Sequence, residues 1–277
     1  MTLLQATVGA HTDRGRRRTV NEDALLADPP VFLVADGMGG HDAGDRASAA
    51  VVEVFRALVG RGALSVDDVT GAVEAAHSAV AAIAAGTARG AGTTLTAAVA
   101  VDHDGLACWL VVNIGDSRVY RLSGDRLEQV TIDHSMAQEM VDAGRLSRAG
   151  MATFRGRNVI TRAVGGERSP ADYWLLPVVT GERLLLCSDG LTSELSDEAL
   201  RAGLVLGGSA ECTAKSLVAQ AVSLGGRDNI TAIVVDVLSG GATSAFDEIT
   251  GSASQSGAST TVDVTTVRTE RTRARRG

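Results

Sequence analysis

Residues 34–48 read VADGMGGHDAGDRAS, and this stretch joins a short apolar run to a pattern typical of a helix. The run it completes, VFLVA at 31–35, is apolar and rich in strand formers, which predicts a buried strand. Apolar residues then recur at helical spacing through residues 45–59, which begin with an acid. Asp36 is therefore expected at the end of a strand, and Gly37 beside it allows a tight turn or a close approach of the backbone.

Three more acids occupy comparable places in the chain. Asp116 follows LVVNIG, Asp189 follows LLLCS, and Asp228 directly precedes the strand pattern ITAIVVDV. If neighbouring strands run antiparallel, the end of one lies beside the start of the next, so these carboxylates converge on one sheet edge. Converging carboxylates repel one another and are costly to desolvate unless a cation neutralises them. A single Asp-Gly is typical of a plain turn, but the recurrence at strand ends indicates ligands for Mg²⁺ or Mn²⁺.

The remaining periodicities predict a layered α/β domain with helices packed outside its sheets. Further strands are predicted at 93–101, 110–114, 117–122, 184–187 and 230–237, and further helices at 67–85, 135–143 and 210–224. Strands often follow one another directly, as in residues 105–122 with a break at Gly115 and Asp116, which favours hairpins and antiparallel sheet. Residues 1–238 are expected to form this domain.

The last residues differ in composition from the rest. Residues 239–277 are rich in Ser, Thr and Gly, contain almost no large apolar side chains, and finish in the basic sequence RTERTRARRG. Such a segment cannot bury enough surface to offset its ordering entropy, so a disordered tail is predicted.

Composition excludes several classes of protein. Hydrophobic residues make up 45% of the 277 residues, which is enough for a packed core, and the net charge of −7 argues against a nucleic-acid partner. The only lysine, Lys215, follows Ala214 rather than the glycine that a phosphate-binding loop requires. Three widely spaced cysteines, no secretory pattern at the start and no long apolar run predict a cytoplasmic protein without a membrane span.

Six motifs occur in an order that resembles one family. They are DRGRRRTVNED (13–23), VADGMGGHDAGDRAS (34–48), GTTLTAAV (92–99), GDSRVYRL (115–122), CSDGLTSELSD (187–197) and GGRDNITAIVVDV (225–237). Together they resemble the metal-dependent protein phosphatases, the type 2C serine/threonine phosphatases, in their compact bacterial form. The resemblance implies an α/β (α+β) four-layer sandwich, in which two central antiparallel sheets are flanked by helices and a two-metal centre lies at one end.

The resemblance also implies roles for acids and one glycine. Two Mn²⁺ or Mg²⁺ ions would be bridged by Asp36, and the Gly37 carbonyl would help to hold the second ion, whereas Asp189 and Asp228 would bind the first. Residues around the ions that do not bind them directly would be Glu22, Asp23 and Asn229. Such an ion pair activates a water molecule for in-line attack on phosphorus, so neither a nucleophilic side chain nor a phosphoenzyme is needed.

Other residues are expected to contact the substrate or a third ion. Arg18, four residues before Glu22, would bind the substrate phosphate, because a guanidinium donates bidentate hydrogen bonds and stays charged. His41 is the nearest candidate for a general acid, with a metal-water or structural role as the alternative. A third cation would lie at Asp116 and Asp189, with Asn158 where some relatives place a serine on a mobile flap; the alternative for Asn158 is an ordinary loop residue.

Two other functions remain open from the sequence. A haloacid-dehalogenase-like phosphatase needs a second aspartate two residues after the first, but positions 38 and 118 hold methionine and arginine. A relative that binds phosphoproteins without hydrolysing them is the second alternative, although all the motif acids are present. The expected substrates are phosphorylated proteins, including those of a serine/threonine kinase and the kinase itself, and the expected oligomeric state is a monomer.

Overall fold

The computed structural model describes residues 4–39, 43–88, 90–166 and 169–242. Its strands are β1 (Gln5–Asp13), β2 (Asp23–Asp28), β3 (Val31–Gly39), β4 (Ala91–Thr93), β5 (Leu95–His103), β6 (Leu106–Ile114), β7 (Arg118–Ser123), β8 (Arg126–Gln129), β9 (Asp172–Pro177), β10 (Arg183–Cys187) and β11 (Ile230–Ser239). Its helices are α1 (Ala43–Arg56), α2 (Val66–Ala85), α3 (Met136–Asp142), α4 (Asp189–Thr192), α5 (Asp197–Leu206) and α6 (Ala210–Leu224), with a 3₁₀ helix at Arg148–Thr153. No described helix combines the length and apolarity that a membrane crossing needs.

The strands form two antiparallel sheets. One has the order β1-β11-β10-β7-β8, and the other has the order β2-β3-β5-β6-β9, with β4 paired to β3. The central strands are nearly continuous apolar runs because both of their faces are covered. The expected pair of antiparallel sheets is confirmed.

Three apolar layers hold the elements together. One lies between the two sheets and contains Phe32, Trp109 and Ile233. A second packs α1 and α2 on the outer face of the β3 sheet, and a third packs α4, α5 and α6 on the outer face of the β11 sheet. The order helix–sheet–sheet–helix is the four-layer sandwich that the resemblance implied.

The helices begin where the sequence supplies a cap. Ser65 and Asp68 form a capping box at the start of α2, and Ser209 caps α6 by accepting a hydrogen bond from the Cys212 N–H. Along α1, Ala47, Val51 and Phe55 repeat every four residues and are buried. The four predicted helices are confirmed, whereas β1, β2, β9 and α5 were not predicted. For β1 and α5 the signal was present, because Ala6, Val8 and Ala10 alternate along β1 and Leu200 and Leu204 are the buried pair of α5.

The break at Gly115 and Asp116 is not a hairpin, so that prediction is wrong. β6 pairs with β5 and β9 in one sheet, and β7 pairs with β10 and β8 in the other. Gly115, with a φ of 108°, packs against Thr94 and turns the chain from one sheet to the other. This crossover places Asp116 between the sheets at the end where the other acids gather.

The end of the described chain stays hydrogen-bonded to the domain. β11 ends at Ser239, and the Ala242 N–H still donates to the Val178 carbonyl at 2.8 Å. The other predicted tail residues, 243–277, lie outside the described residues, so the division at 238 and the disorder of the tail stay predictions.

Candidate active site

Five aspartates meet at one edge of the sandwich. Asp23 begins β2 and lies directly opposite Asp36 in β3, while Asp189 begins α4 just after β10 and Asp228 lies two residues before β11. Asp116 enters from the crossover. Antiparallel pairing of β2 with β3 and of β10 with β11 produces this arrangement, as expected. β3 continues through Asp36 to Gly39 because Gly37–Gly39 pair with β4, so Asp36 lies within the strand rather than after it.

The surroundings of four of these acids disfavour their charged forms. Desolvation raises the pKa of Asp36 and of Asp116 well above the ordinary aspartate range, and neighbouring carboxylates add to it. The pKa of Asp23 is raised to about 7 and that of Asp189 to about 6, again chiefly by burial. Asp36 interacts electrostatically with Asp116 and with Asp228, so it lies centrally in the cluster.

Asp23 joins the two sheets below the cluster. Its Oδ2 accepts hydrogen bonds from Ser188 Oγ at 2.8 Å and from Thr231 Oγ1 at 2.7 Å, both in the β10–β11 region of the other sheet. The second oxygen of Asp23 and the Oδ1 of Asp189 are buried without a hydrogen-bond partner among the described residues. Buried polar atoms of this kind are rare, and two carboxylate oxygens so placed fit the binding of a cation.

Asp36 is fixed through its backbone. Its N–H donates to Thr94 Oγ1 at 2.9 Å, and its carbonyl accepts from the Thr94 N–H at 2.8 Å and from Thr93 Oγ1 at 2.9 Å. The Thr94 hydroxyl also hydrogen-bonds the Ser117 hydroxyl at 2.8 Å, which ties Asp36 to the crossover carrying Asp116. The motif GTTLTAAV contains both threonines, but sequence reasoning assigned no role to them.

Arg18 lies at the cluster, and its expected role in binding the substrate phosphate stays a prediction. Its Nη2 donates to Asp228 Oδ2 at 2.7 Å, and about half of the arginine side chain is exposed. The ion pair occupies an acid that was predicted to bind a metal, and this contact was not foreseen. The remaining N–H groups of the guanidinium stay accessible at the mouth of the site.

Asn229 holds the segment that carries Arg18. Its Oδ1 accepts from the Glu22 N–H at 2.8 Å, and its Nδ2 donates to the carbonyls of Arg14 at 3.0 Å and Val20 at 2.9 Å. The Asn229 side chain itself is buried. Its predicted place around the ions stays a prediction, and the contacts themselves make it the anchor of the loop.

Glycines let backbones meet beside the acids. A Cβ on Gly37 would lie 2.2 Å from the Gly44 carbonyl oxygen, and one on Gly44 would lie 2.3 Å from Glu22 Oε1. The start of α1 therefore packs directly on β3, with the Glu22 carboxylate against it. Gly190 is equally confined, because its Cβ would lie 1.9 Å from the Asn229 carbonyl oxygen.

We expect Gly190→Ala to destabilise the protein by about 1–3 kcal/mol, because overpacking against a backbone carbonyl forces the chain apart. The shift would also displace Asn229 and the neighbouring Asp228 at the aspartate edge. Gly71→Ala is the control, since nothing lies within 4 Å of its Cβ position in α2, and it should stabilise the helix by up to about 1 kcal/mol. Urea unfolding of both variants measures the difference; equal midpoints would show that the contact at Gly190 relaxes freely.

Three more residues were predicted to take part in the site, two at a third ion and one as the general acid. Asp116 is buried within the cluster, and its role at a third ion stays a prediction. Asn158 is exposed, and its side chain forms no hydrogen bond to any described residue. His41 lies outside the described residues, so its role as general acid stays a prediction.

Sequence reasoning missed a second polar cluster next to the crossover. His134 Nδ1 accepts from the Gly115 N–H at 3.2 Å, and its Nε2 lies 3.2 Å from Asp172 Oδ2. Arg118 donates to both oxygens of Asp133, at 2.8 and 2.7 Å, from a nearly buried position. The arginine was visible within GDSR, but no sequence signal links it to Asp133.

The donor set of the edge suits a hard divalent cation. Oxygen coordination of Mg²⁺ or Mn²⁺ fits three features of the edge. Its carboxylates have raised pKa values, and two buried carboxylate oxygens have no partner among the described residues. Gly37 also lets the backbone come close to the acids. In the described part of the chain, no three His, Cys, Asp or Glu side chains are already arranged as a finished cage. Asp228, one of the acids expected to hold an ion, is instead paired with Arg18.

Comparison with known proteins now decides the family. The sequence profile described as "Protein phosphatase 2C" matches residues 11–215. The chain belongs to this family. It is 38% identical over 234 residues to the serine/threonine protein phosphatase PstP of Mycobacterium tuberculosis, which covers 83% of this chain but only 44% of that protein. This chain therefore spans less than half the length of that relative.

Two further comparisons support the phosphatase 2C fold. The serine/threonine phosphatase stp of Listeria monocytogenes is 32% identical over 239 residues, covering 81% of this chain and 93% of that protein. The crystal structure of the PstP catalytic domain in complex with two manganese ions superposes with a TM-score of 0.77 at 34% identity, covering 86% of this chain and all of that one.

Proposed function

We propose that this phosphatase 2C family member is a metal-dependent protein phosphatase that hydrolyses phosphoserine and phosphothreonine. The observation that carries the proposal is the convergence of Asp23, Asp36, Asp189 and Asp228 at one edge, with two buried carboxylate oxygens left unpartnered. The names of the relatives and the manganese ions of the PstP structure support it.

The protein residues have distinct parts in this proposal. Asp36, Asp189, Asp228 and the Gly37 carbonyl would hold two Mn²⁺ or Mg²⁺ ions, which supply charge neutralisation and a water of lowered pKa. Arg18 would bind the phosphate oxygens with its exposed N–H groups. His41 would protonate the leaving alkoxide, and a third ion would lie at Asp116 and Asp189 with Asn158 nearby.

Side-chain nucleophiles beside the cluster are poorly suited to attack phosphorus. Burial raises the pKa of the Cys187 thiol to about 12, so it stays protonated. The buried Ser188 hydroxyl donates to Asp23 and accepts from the Thr231 N–H at 3.0 Å. Direct attack by water, without a phosphoenzyme, agrees with both observations.

The alternatives have less support. The haloacid-dehalogenase chemistry lacks its second aspartate, since Met38 and Arg118 stand at the required positions. A binding-only relative would keep the fold and bind phosphoproteins without releasing phosphate. We further propose a monomeric cytoplasmic protein whose substrates include a serine/threonine kinase, with a C-terminal tail that takes no part in catalysis.

Phosphate release from a phosphothreonine peptide tests the function. Activity should vanish with chelator and return with Mn²⁺, while a phosphotyrosine peptide of the same sequence should be a much poorer substrate. Bound manganese without any phosphate release would favour the binding-only relative. Release that persists in chelator would overturn the metal-dependent mechanism.

The acids of the site predict an unusual pH dependence for the chelator-treated protein. Asp23, Asp36, Asp116 and Asp189 have raised pKa values, so the folded state binds their protons more tightly than the unfolded chain does. The free energy of unfolding should therefore fall as pH rises from about 4, the unfolded value, towards about 7, the folded value of Asp23.

Several groups oppose this trend. Burial lowers the pKa of His77, which favours folding as pH rises through the same window. Hydrogen bonds lower the pKa values of four other carboxylates, which favour folding as pH rises only near the acid end of the window: Asp68, Asp172, Glu194 and Glu198. Urea unfolding at a series of pH values measures the slope, and Asp36→Asn should flatten it. A stability that rises steadily from pH 4 to 7 would show that these acids are charged and well compensated.

A further inference from the structure

Arginine is concentrated in two segments that contain no acid. The arginine loop, residues 14–21, reads RGRRRTVN and has four arginines, whereas the flap, residues 143–166, has five. The chain as a whole has 33 acids against 26 lysines and arginines. The two segments are therefore strongly positive parts of an acidic protein.

Both segments are attached to the edge that carries the aspartates. The arginine loop is fixed by Asn229 and by the Arg16 N–H, which donates to the Gly226 carbonyl at 2.7 Å. The flap is fixed where the Thr161 N–H donates to the His134 carbonyl and the Val164 N–H donates to the Thr93 carbonyl, each at 2.8 Å.

The two attachments lie at different ends of the cluster. The arginine loop is attached beside Asp228 through Asn229, and the flap is attached beside Asp116, since the His134 N–H donates to the Gly115 carbonyl at 2.8 Å. Asp36 interacts electrostatically with both Asp116 and Asp228. The two arginine-rich segments are thus attached on two sides of the aspartate cluster.

Most of these arginines have no acid to pair with. Seven are exposed and form no ion pair with any residue that the structure describes: Arg14, Arg16, Arg17, Arg145, Arg148, Arg155 and Arg157. Elsewhere, exposed Arg56, Arg61 and Arg227 each pair with a carboxylate, although Arg46 and Arg126 do not. The unpaired guanidinium groups are therefore concentrated in the two segments that are attached beside the site.

We propose that the substrate of this site is a phosphopeptide with acidic or additional phosphorylated residues on both sides of the target residue, an inference that rests on the proposed phosphatase activity. Guanidinium groups bind carboxylates and phosphates through paired hydrogen bonds. They also attract a polyanionic segment towards an edge whose own carboxylates would repel it. Residues on one side of the phosphoresidue contact the arginine loop, and those on the other side contact the flap.

Phosphothreonine peptides that differ only in their flanks test the proposal on the full chain with Mn²⁺. One has Asp and Glu on both sides, one has Ala and Ser, and two have acids on a single side. The doubly acidic peptide should have a kcat/KM at least about tenfold above that of the neutral peptide, a gain typical of electrostatic steering. High salt should remove most of the gain.

Two variants, each with several substitutions, test which arginines cause the preference for acidic flanks. The loop variant replaces Arg14, Arg16 and Arg17 with Ser, and the flap variant replaces Arg145, Arg148, Arg155 and Arg157 with Ser. Each should lose the preference for acids on one side and keep its activity on a small aryl phosphate. Arg126→Ser, exposed in β8 and also unpaired, is the control for surface charge, and thermal unfolding checks that each variant folds.

The outcomes distinguish the preference for acidic flanks from the proposed phosphatase activity on which it rests. Equal hydrolysis of acidic and neutral peptides, or variants that behave like Arg126→Ser, would overturn the charge preference and leave the phosphatase activity intact. Failure to cleave any phosphopeptide would overturn both.

Discussion

Replacing Asp36 with Asn should reduce kcat by at least about 10²–10³-fold, the loss typical of removing one group that stabilises the transition state. Asp36 lies at the centre of the cluster, and in the proposed mechanism it would help to hold the ions. The amide keeps the size of the side chain but removes its charge. Phosphate release from a phosphothreonine peptide at saturating Mn²⁺ measures the loss.

The same variant should not be less stable than the parent when both are free of metal. In the parent protein the pKa of Asp36 is raised, because burial and the neighbouring aspartates disfavour its charged form. A neutral amide at this position removes the repulsion between position 36 and those aspartates. Asp125→Asn, an exposed acid in the β7–β8 turn, should change neither activity nor stability. If activity and thermal stability of Asp36→Asn fall together, Asp36 is a structural acid, and if activity survives, it is not a metal ligand.

Glu182→Ala should destabilise the fold by about 3–5 kcal/mol, because it breaks a buried ion pair and leaves one charge without compensation. The Glu182 side chain is fully buried, and its Oε1 accepts from Trp109 Nε1 and from the Val179 N–H, both at 2.8 Å. Its Oε2 accepts from Arg121 Nε. Trp109 belongs to one sheet and Arg121 to the other, so this carboxylate joins the two sheets.

Denaturant unfolding with two comparison variants checks this role. Glu182→Gln keeps the acceptor for Trp109 and should cost less than Glu182→Ala. Glu53→Ala breaks the exposed pair with Arg56 and should cost about 1 kcal/mol or less. Comparable losses in Glu182→Ala and Glu53→Ala would show that the buried contact does not hold the sheets together.

Strand-end acids were the most predictable part of the site. Asp36, Asp189 and Asp228 follow or precede apolar runs, and antiparallel pairing alone brings such positions together. The family resemblance added Arg18 and Glu22, which no local pattern marks. Gly37 and Gly190 were expected to allow close approach, and at each a backbone carbonyl oxygen lies within 2.2 Å of the point that a Cβ would occupy.

Long-range contacts were not predictable from local patterns. Glu182 follows Thr-Gly in a segment that resembles an exposed turn, yet it is buried by partners 73 and 61 residues away in the chain. Asn229 stands beside a predicted ligand, but its hydrogen bonds go to a loop more than 200 residues earlier. The crossover at Gly115 resembled a hairpin because sequence spacing does not reveal which sheet the next strand joins.

Calorimetric titration of Mn²⁺ into the chelator-treated protein tests the central claim, that the aspartate edge is a metal site, without relying on activity. The account predicts two ions per chain in the tight phase, as in the PstP structure, with a marked loss of affinity in Asp36→Asn and none in Asp125→Asn. Two results would contradict the claim: the parent protein binds no Mn²⁺, or Asp36→Asn binds Mn²⁺ as tightly as the parent does.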